Sequence, residues 1–435
     1  DYRSLLQAMM PEAALTLGAL AILAFDLTLG RARTAAERTT LAVTIGLVAI
    51  LAAAYHATGP GYNNPVFGGA LSLDALTVAV RLGVLALTGL TLALLPSLRP
   101  NRHPAEQVAI MLLATAGFTL MAAANQLLVA FLALELASLS LYILAGFAKD
   151  RSASAEAALK YFLFGGVSAA FLLFGFSLIY GLTGALGFAE IAQQLRVQPL
   201  TPLLLIALVM VLTAFGFKAA AAPFHLWAPD AYQGAPTASA ALLLGNLAAL
   251  AQSSVRRILA YSAIAHAGAM LIGVITGGTA GPAPLFFYLT TYGIATIGTF
   301  GVLGVIERTG TCDALGDLDG LHRRSPLLAT CLLVFILSLA GIPPLAGFFS
   351  KDEILTASVG PGGTRHDGFD ARYPRRGSQP APRAEVLTRR RLGKRAHAPV
   401  EFLVTRHDRI GRKQLMGPKS GGFTQPPPDF GPISC

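Results

Sequence analysis

The chain of 435 residues is short of charge. Only 13% of its residues are Asp, Glu, Lys or Arg, about half of the ~25% found in a soluble domain. It has one tryptophan and three cysteines, Cys312, Cys331 and Cys435, which form no CxxC pair. That spacing argues against an iron–sulfur cluster, a structural zinc site and a disulfide framework. No Walker A loop is present, and no GxGxxG lies between a strand and a helix, so nothing points to nucleotide binding or electron transfer by this chain. Runs of alternating apolar and polar residues are missing, which excludes a membrane barrel. What remains is 54% apolar sequence with 45 glycines and a mean hydropathy of +0.59. Apolar runs near 20 residues recur along most of it, as in helices that cross a bilayer.

The net charge of +10 is unevenly placed. Residues 357–435 hold 15 Lys+Arg against 6 Asp+Glu, leaving residues 1–356 with 18 against 17. Two regions follow: an apolar, nearly neutral membrane domain over 1–356, and a basic low-complexity tail over 357–435 without enough apolar residues for a core.

Ten spans are predicted at about 11–29, 40–57, 73–95, 108–124, 127–148, 157–182, 199–222, 258–276, 284–306 and 326–349, each close to the ~20 residues that cross ~30 Å. The first is not expected to be a cleaved signal, because it lacks a basic flank and a cleavage site before a soluble domain. Twelve basic residues fall in alternate loops: Arg31, Arg33, Arg38, Arg99, Arg102, Lys149, Arg151, Arg256, Arg257, Arg308, Arg323 and Arg324. The intervening side holds only Arg3 and Arg196. The positive-inside rule places the twelve in the cytoplasm and the N-terminus outside. Residues 238–251 are apolar but only 14 long, and the charge pattern is kept if they do not cross.

A charge at mid-membrane costs at least ~2.5–3.5 kcal/mol and is commonly paired, solvated in a cavity or functional. Glu135 lies near the middle of its span. It reads either as a functional acid or as a buried one held neutral or bonded to Ser138 or Ser140. Lys218 precedes Pro223, which interrupts the span and frees a carbonyl one turn upstream; His225, Trp227, Pro229 and Asp230 follow. A broken membrane helix is tolerated where it is buried or lines a cavity, and a lysine there either trades protons or snorkels to the interface. Lys160 stands four residues after Glu156, at ion-pair spacing. His266 is apolar-flanked at mid-span, and Lys351 follows the break at Pro343-Pro344. Asp74 reads as a helix opener, Arg81 as structural and Trp227 as a packing or interfacial aromatic. The composite is an all-α polytopic bundle with a file of titratable groups, suited to moving protons or cations.

The stretches FLALELASLSLYILAGF, AALKYFLFGG, FGFKAAAAPFHLWAPDAYQGAPT, GNLAALAQSSVRRILAYSAIAHAG and GIPPLAGFF resemble subunit N of bacterial NADH-quinone oxidoreductase, respiratory complex I. That family belongs to the antiporter-like proteins related to Mrp Na⁺/H⁺ antiporters. The resemblance covers roughly residues 1–351. It implies an antiporter-like fold of fourteen helices with inverted repeats, each containing a broken helix. It further implies a multi-pass protein of the bacterial inner membrane, a subunit of a translocase that moves protons as quinone is reduced elsewhere in the complex. NADH, FMN, iron–sulfur clusters and quinone would serve the complex, with none bound by this chain. The partners implied are other membrane subunits of complex I and the lipid bilayer, with no nucleic acid. By position, Glu135 matches the acidic residue of the family's fifth helix, Lys160 a lysine of the sixth and Lys218 the lysine of the broken seventh. His225 matches the histidine at that break, His266 one in the tenth helix and Lys351 the lysine of the broken twelfth. A Mrp-type cation/proton antiporter subunit is the alternative within the same fold; a truncated product acting at most as a membrane scaffold is the alternative outside it.

Two departures from the family stand out. Only ASAALLL separates GAPT from GNLAALAQ, so about 35 residues, with parts of the eighth and ninth helices and a central lysine, are missing near 237–241. After Lys351 the sequence SKDEIL, which resembles the large antiporter-like subunit, leads straight into the basic tail. The Arg, Pro and Gly of residues 361–395 fit out-of-frame reading of GC-rich codons; a disordered basic extension against anionic lipid is the other reading.

Overall fold

The computed structural model describes residues 2–30, 33–59, 66–98, 102–197, 199–221, 224, 227–234, 254–276, 282–308, 310 and 314–359, which belong to one compact unit. The predicted non-crossing stretch 238–251, His225, Pro223 and the tail beyond Val359 lie outside the described residues.

The helices are α1 (Tyr2–Ala8), α2 (Met10–Phe25), α3 (Ala35–Ala57), α4 (Ala75–Leu94), α5 (Pro104–Ala123), α6 (Leu127–Ala145), α7 (Ser152–Thr183), α8 (Phe188–Val197), α9 (Pro202–Lys218), α10 (Ala228–Gly234), α11 (Val255–Thr276), α12 (Ala283–Ile306), α13 (Leu321–Arg324), α14 (Pro326–Ala340) and α15 (Ala346–Val359). The only extended pairing among the described residues consists of isolated bridges. Local chemistry sets many helix starts. Thr34 and Glu37 form a reciprocal capping box at α3, Asp74 accepts the Thr77 N–H at 2.7 Å at α4, and Thr201 caps α9 ahead of Pro202. The Thr77 amide holds the Asp74 carboxyl below the usual aspartate range.

Seven described helices are long and apolar enough to cross a membrane: α2 with the π-helical turn Asp26–Gly30 that extends it, α3, α4 with its 3₁₀ extension to Ser97, α5, α6, α7 and α12. They match seven of the ten predicted spans. The other three differ in ways that matter. The span predicted at 199–222 is helical only over Pro202–Lys218. The one predicted at 326–349 is two helices, because Gly341 leaves α14 in the left-handed conformation at φ +80° and α15 begins five residues later. The span predicted from 258 starts at Val255, so Arg256 and Arg257 are not loop charges but the first turn of α11.

The helices pack as a sequence of neighbours. α2, α3, α4 and α5 form one group, α5 packs on α6, α6 on α7, and α7 on α9 and α10. α11, α12, α14 and α15 form a second group that returns to the first where α12 meets α4. Leucines point outward along the exposed stripes of the helices. Leu128, Leu132, Leu136, Leu139 and Ile143 of α6 are exposed at helical spacing. Leu51 at 69% and Tyr55 at 77% exposure would be unfavourable in water and suit hydrocarbon and its interface.

The loops poor in basic residues are tied together at one end of the bundle. Ser72 N–H donates to the Ala123 carbonyl, Asn125 N–H to Ala70 and Leu127 N–H to Leu186, while Phe188 N–H donates to Asn125. Leu5 and Ala8 of α1 pack beside Val66, Leu71 and Ala123, so the N-terminal helix belongs to this face. At the opposite ends of their helices, Arg38 clasps Asp26 with two bonds of 2.7 and 2.6 Å, and Arg256 pairs with Glu307.

Arg81 proves structural, as its sequence context suggested. It is 1% exposed, bonds Glu12 at 2.8 Å and donates to the Thr119 and Ala8 carbonyls, joining α1, α2, α4 and α5. Removing one member of a buried pair strands the other charge, at roughly 3–5 kcal/mol, whereas replacing both by apolar groups is often neutral. Arg81→Met is therefore expected to lower the thermal midpoint of the detergent-solubilised protein sharply, and Arg81→Met with Glu12→Leu to recover most of the loss. A double variant as unstable as the single would show that the pair does more than neutralise itself.

Candidate functional site

Glu135, Ser138 and Tyr142 stand at i, i+3 and i+7 on α6 and so share one face. The end of α9 meets that face. Ala220 adopts φ +51°, its N–H bonds the Phe217 carbonyl, and the Ala221 N–H reaches back to Gly216, the paired pattern of a Schellman cap. Holding an alanine left-handed costs about 1–2 kcal/mol. The helix thus stops at Lys218, before Pro223, and the break expected from the proline is made by the chain turning at Ala220. Lys218 is left on the last turn, where the helix dipole favours a cation.

The Lys218 ammonium donates to Glu135 Oε1 at 3.0 Å and to Ser138 Oγ at 2.7 Å, and it lies 6.0 Å from the centre of the Tyr142 ring. Both charged side chains are largely enclosed, at 14% and 19% exposure. Ser138 and Ser140 donate back to the Leu134 and Leu136 carbonyls of their own helix, and Ser138 alone of the two also accepts from the lysine. Tyr142 fits because position 165 is glycine: a Cβ there would sit 2.0 Å from the tyrosine oxygen.

Lys160 is not bonded to this pair. It meets Glu156 at 2.6 Å, as its spacing suggested, and Asp230 at 2.8 Å, on a face where it is 40% exposed. Asp230 in turn accepts from Arg257 at 2.6 Å. Burial raises the Asp230 carboxyl, but Lys160 and Arg257 outweigh it and hold the group below the usual aspartate range. Stacked rings bridge the interval between the two lysines. Tyr142 meets Tyr161 edge-on at 4.5 Å, and Tyr161 lies flat on Trp227 at 4.3 Å. The Trp227 indole donates to the Phe217 carbonyl at 3.1 Å. Trp227 is 4% exposed, a packing aromatic rather than an interfacial one.

A second group forms between α11, α12, α14 and α15. His266 Nδ1 is 2.6 Å from the Tyr288 hydroxyl, and its ring lies 4.4 Å from Tyr292. Lys351 on α15 turns back to donate to the Leu339 carbonyl at 2.7 Å, one of the carbonyls left open at the end of α14. α15 approaches α14 closely through Gly347, whose Cβ would collide with the Ser338 carbonyl. Among the described residues, no cluster of three or more His, Cys, Asp or Glu could hold a metal ion.

The family described as NADH:quinone oxidoreductase/Mrp antiporter, TM, matches residues 124–244 and 238–363. NADH-quinone oxidoreductase subunit N 2 of Acidobacterium capsulatum is 42% identical over 419 residues, covering 82% of this chain and 84% of that protein. Subunit N 1 of Rhizobium meliloti is 35% identical over 404 residues, with 81% and 82% covered. The chain belongs to the NADH-quinone oxidoreductase subunit N family. Among solved structures, respiratory complex I from Thermus thermophilus with bound aureothin contains a chain that superposes with a TM-score of 0.65 at 35% identity, covering 80% of this chain and 83% of that one. The Mrp complex from Dietzia sp. matches at a TM-score of 0.62 and 23% identity, covering 80% and 74%, a likeness of fold alone.

Within this subunit N relative, the positions singled out from sequence fall into three places. Glu135 and Lys218 meet directly, His266 and Lys351 share the Leu339 neighbourhood, and Lys160 stands apart in a surface network. Sequence reasoning passed over Tyr142, Tyr288 and Tyr292. Tyr142 shared a helical face with Glu135 and was legible on that ground; the other two became visible only once α12 was placed beside His266.

Two outcomes follow. Gly165→Ala forces Tyr142 out of place, and overpacking of this kind costs about 1–3 kcal/mol; a drop in thermal midpoint is expected, and an unchanged one would mean the ring can move freely. The Asp230 contribution is complete above the ordinary aspartate value of 3.8 and fades as pH falls through the lower folded value. The Asp230 carboxylate band in infrared difference spectra should therefore persist at pH 4 (about the unfolded value), and its loss by pH 5 would contradict the two-cation contact.

Proposed function

We propose that this chain is a membrane subunit of a proton-translocating NADH:quinone oxidoreductase and that it moves protons through buried Lys, Glu and His groups. The observation that carries the reading is the enclosed contact between Lys218 and Glu135 at the end of a broken helix. At 3.0 Å the gross attraction is about 5 kcal/mol for an effective dielectric near 20, while burying each ion costs several kcal/mol. Terms so closely matched leave a pair that can open. Closed, each charge stabilises the other; opened, the lysine loses its counter-ion and is driven toward releasing a proton. His225 takes the onward step, since imidazole accepts and donates near neutral pH. Lys160 serves the entry side, and His266 with Lys351 the exit side.

The chain acts as a translocase subunit without a redox site of its own; NADH, FMN, iron–sulfur clusters and quinone belong to other subunits. It sits in the bacterial inner membrane beside further membrane subunits of complex I, with its N-terminus in the periplasm. That orientation is supported by α1 packing on the loops poor in basic residues. The translocating module spans 1–356, shortened near 237–241. The overlap of the two family matches at 238–244 supports the shortening. Residues 357–435 form a separate basic tail.

Replacing Lys218 tests the relay against a static bridge. Lys218→Met is expected to assemble and to lower proton pumping in inverted vesicles by roughly tenfold or more, whereas a static bridge predicts poor assembly. Lys218→Arg keeps the charge but locks the proton on. Pumping by that variant at the parental rate would exclude proton relay at this position. Co-purification with a flavin and iron–sulfur NADH dehydrogenase separates this reading from a cation/proton antiporter.

A further inference from the structure

Past the end of α9, Asp230 makes contacts that the relay described above does not use. Its Oδ2 accepts from Lys160 Nζ at 2.8 Å and its Oδ1 from Arg257 Nη2 at 2.6 Å. Lys160 also holds Glu156 at 2.6 Å. Four side chains of alternating sign, Glu156, Lys160, Asp230 and Arg257, thus run across α7, α10 and α11. All are partly exposed. Pairs of this kind add little to folding stability and break readily, so the network is poorly suited to be a strut. It is well suited to hold Lys160 exchangeably, between Glu156 of its own helix and Asp230 of α10, both of which it contacts.

The same short stretch of chain also reaches the other lysine. Trp227, three residues before Asp230, stacks on Tyr161, the sequence neighbour of Lys160. Its indole N–H donates to the carbonyl of Phe217, the sequence neighbour of Lys218. Four consecutive residues, 227 to 230, therefore touch the surroundings of both lysines, and Asp230 adds a link to α11, the helix that carries His266.

We propose that Asp230 is a positioning residue that couples Lys160 to the Lys218–Glu135 pair, holding Lys160 against the broken helix and anchoring that hold on Arg257. The inference rests on the proton-transfer reading given above and adds to it a part that senses the state of the pair. A displacement that carries Phe217 and Lys218 away from Glu135 pulls on Trp227 and so on the contact between Asp230 and Lys160. Coupling of this kind is reciprocal: the state of Lys160 biases the pair as much as the pair biases Lys160.

The test uses the assembled complex carrying variants in this chain, with assembly, NADH oxidation and proton pumping measured in inverted membrane vesicles. Asp230→Asn should assemble normally and lower the ratio of pumping to NADH oxidation by about fivefold or more, the lower end of typical couplings between sites. Asp230→Glu should restore most of it. Asp230→Asn combined with Lys160→Met should be no worse than the poorer single variant, because both remove the same contact. Asp230→Asn pumping at the parental ratio would overturn the proposal. So would a failure of that variant to assemble, which would make the network a strut, or additive losses in the double variant. Lys218→Met, run in parallel, separates the two readings. If it pumps normally, the relay itself fails; if it loses pumping while Asp230→Asn does not, only the coupling fails.

Discussion

A lysine ammonium enclosed between the helices of a membrane protein needs a counter-charge, and much of this structure is arranged to supply one. Lys218 has Glu135 and Ser138 in front of it, the face of Tyr142 nearby and the negative end of its own helix behind it. Each partner constrains something further away. Glu135 requires α6 and α9 to meet at a fixed register. Tyr142 requires a glycine on α7. The helix end requires Ala220 to take a conformation that alanine disfavours. The strain at Ala220 is local, and the packing of Trp227 beneath the Phe217 carbonyl helps to hold it.

The second group repeats the device with different chemistry. Lys351 also lies at a helix break and also addresses the negative end of a helix, here the Leu339 carbonyl of α14. The group beside it is a ring cluster, His266 with Tyr288 and Tyr292, in place of a carboxylate. A break in a membrane helix exposes backbone carbonyls that hydrocarbon cannot satisfy. A lysine satisfies them and gains from the dipole in the same contact.

The charges outside these groups divide by burial. Arg81 and Glu12 are buried and tie four helices together, where neither can leave without stranding the other. The Glu156–Lys160–Asp230–Arg257 network is partly exposed, so each contact is weak and exchangeable. The same residue types thus serve as a fixed pin in one place and an adjustable contact in another, and solvent access makes the difference.

Fold class, seven of the spans, the helix opening at Asp74, the spacing of Lys160 on Glu156 and the place of Glu135 within a helix long enough to cross a membrane were all legible in the amino-acid order. Each depends on short-range periodicity or on the cost of charge in hydrocarbon. Resemblance to a family matched the six titratable positions, already singled out from the residues, to places in its helices. What the order of residues could not decide was which of them meet. Glu135 and Lys218 are 83 positions apart, and no local rule pairs them. Pro223 marks the neighbourhood of the break, but the left-handed turn at Ala220 that ends the helix at Lys218 carries no signal in sequence. Arg256 and Arg257 read as loop charges because basic residues before an apolar run look like a boundary. In the structure they open α11 and pair with Glu307 and Asp230. Tertiary structure decided these points because pairing, helix ends and the solvation of a charge depend on neighbours from distant parts of the chain.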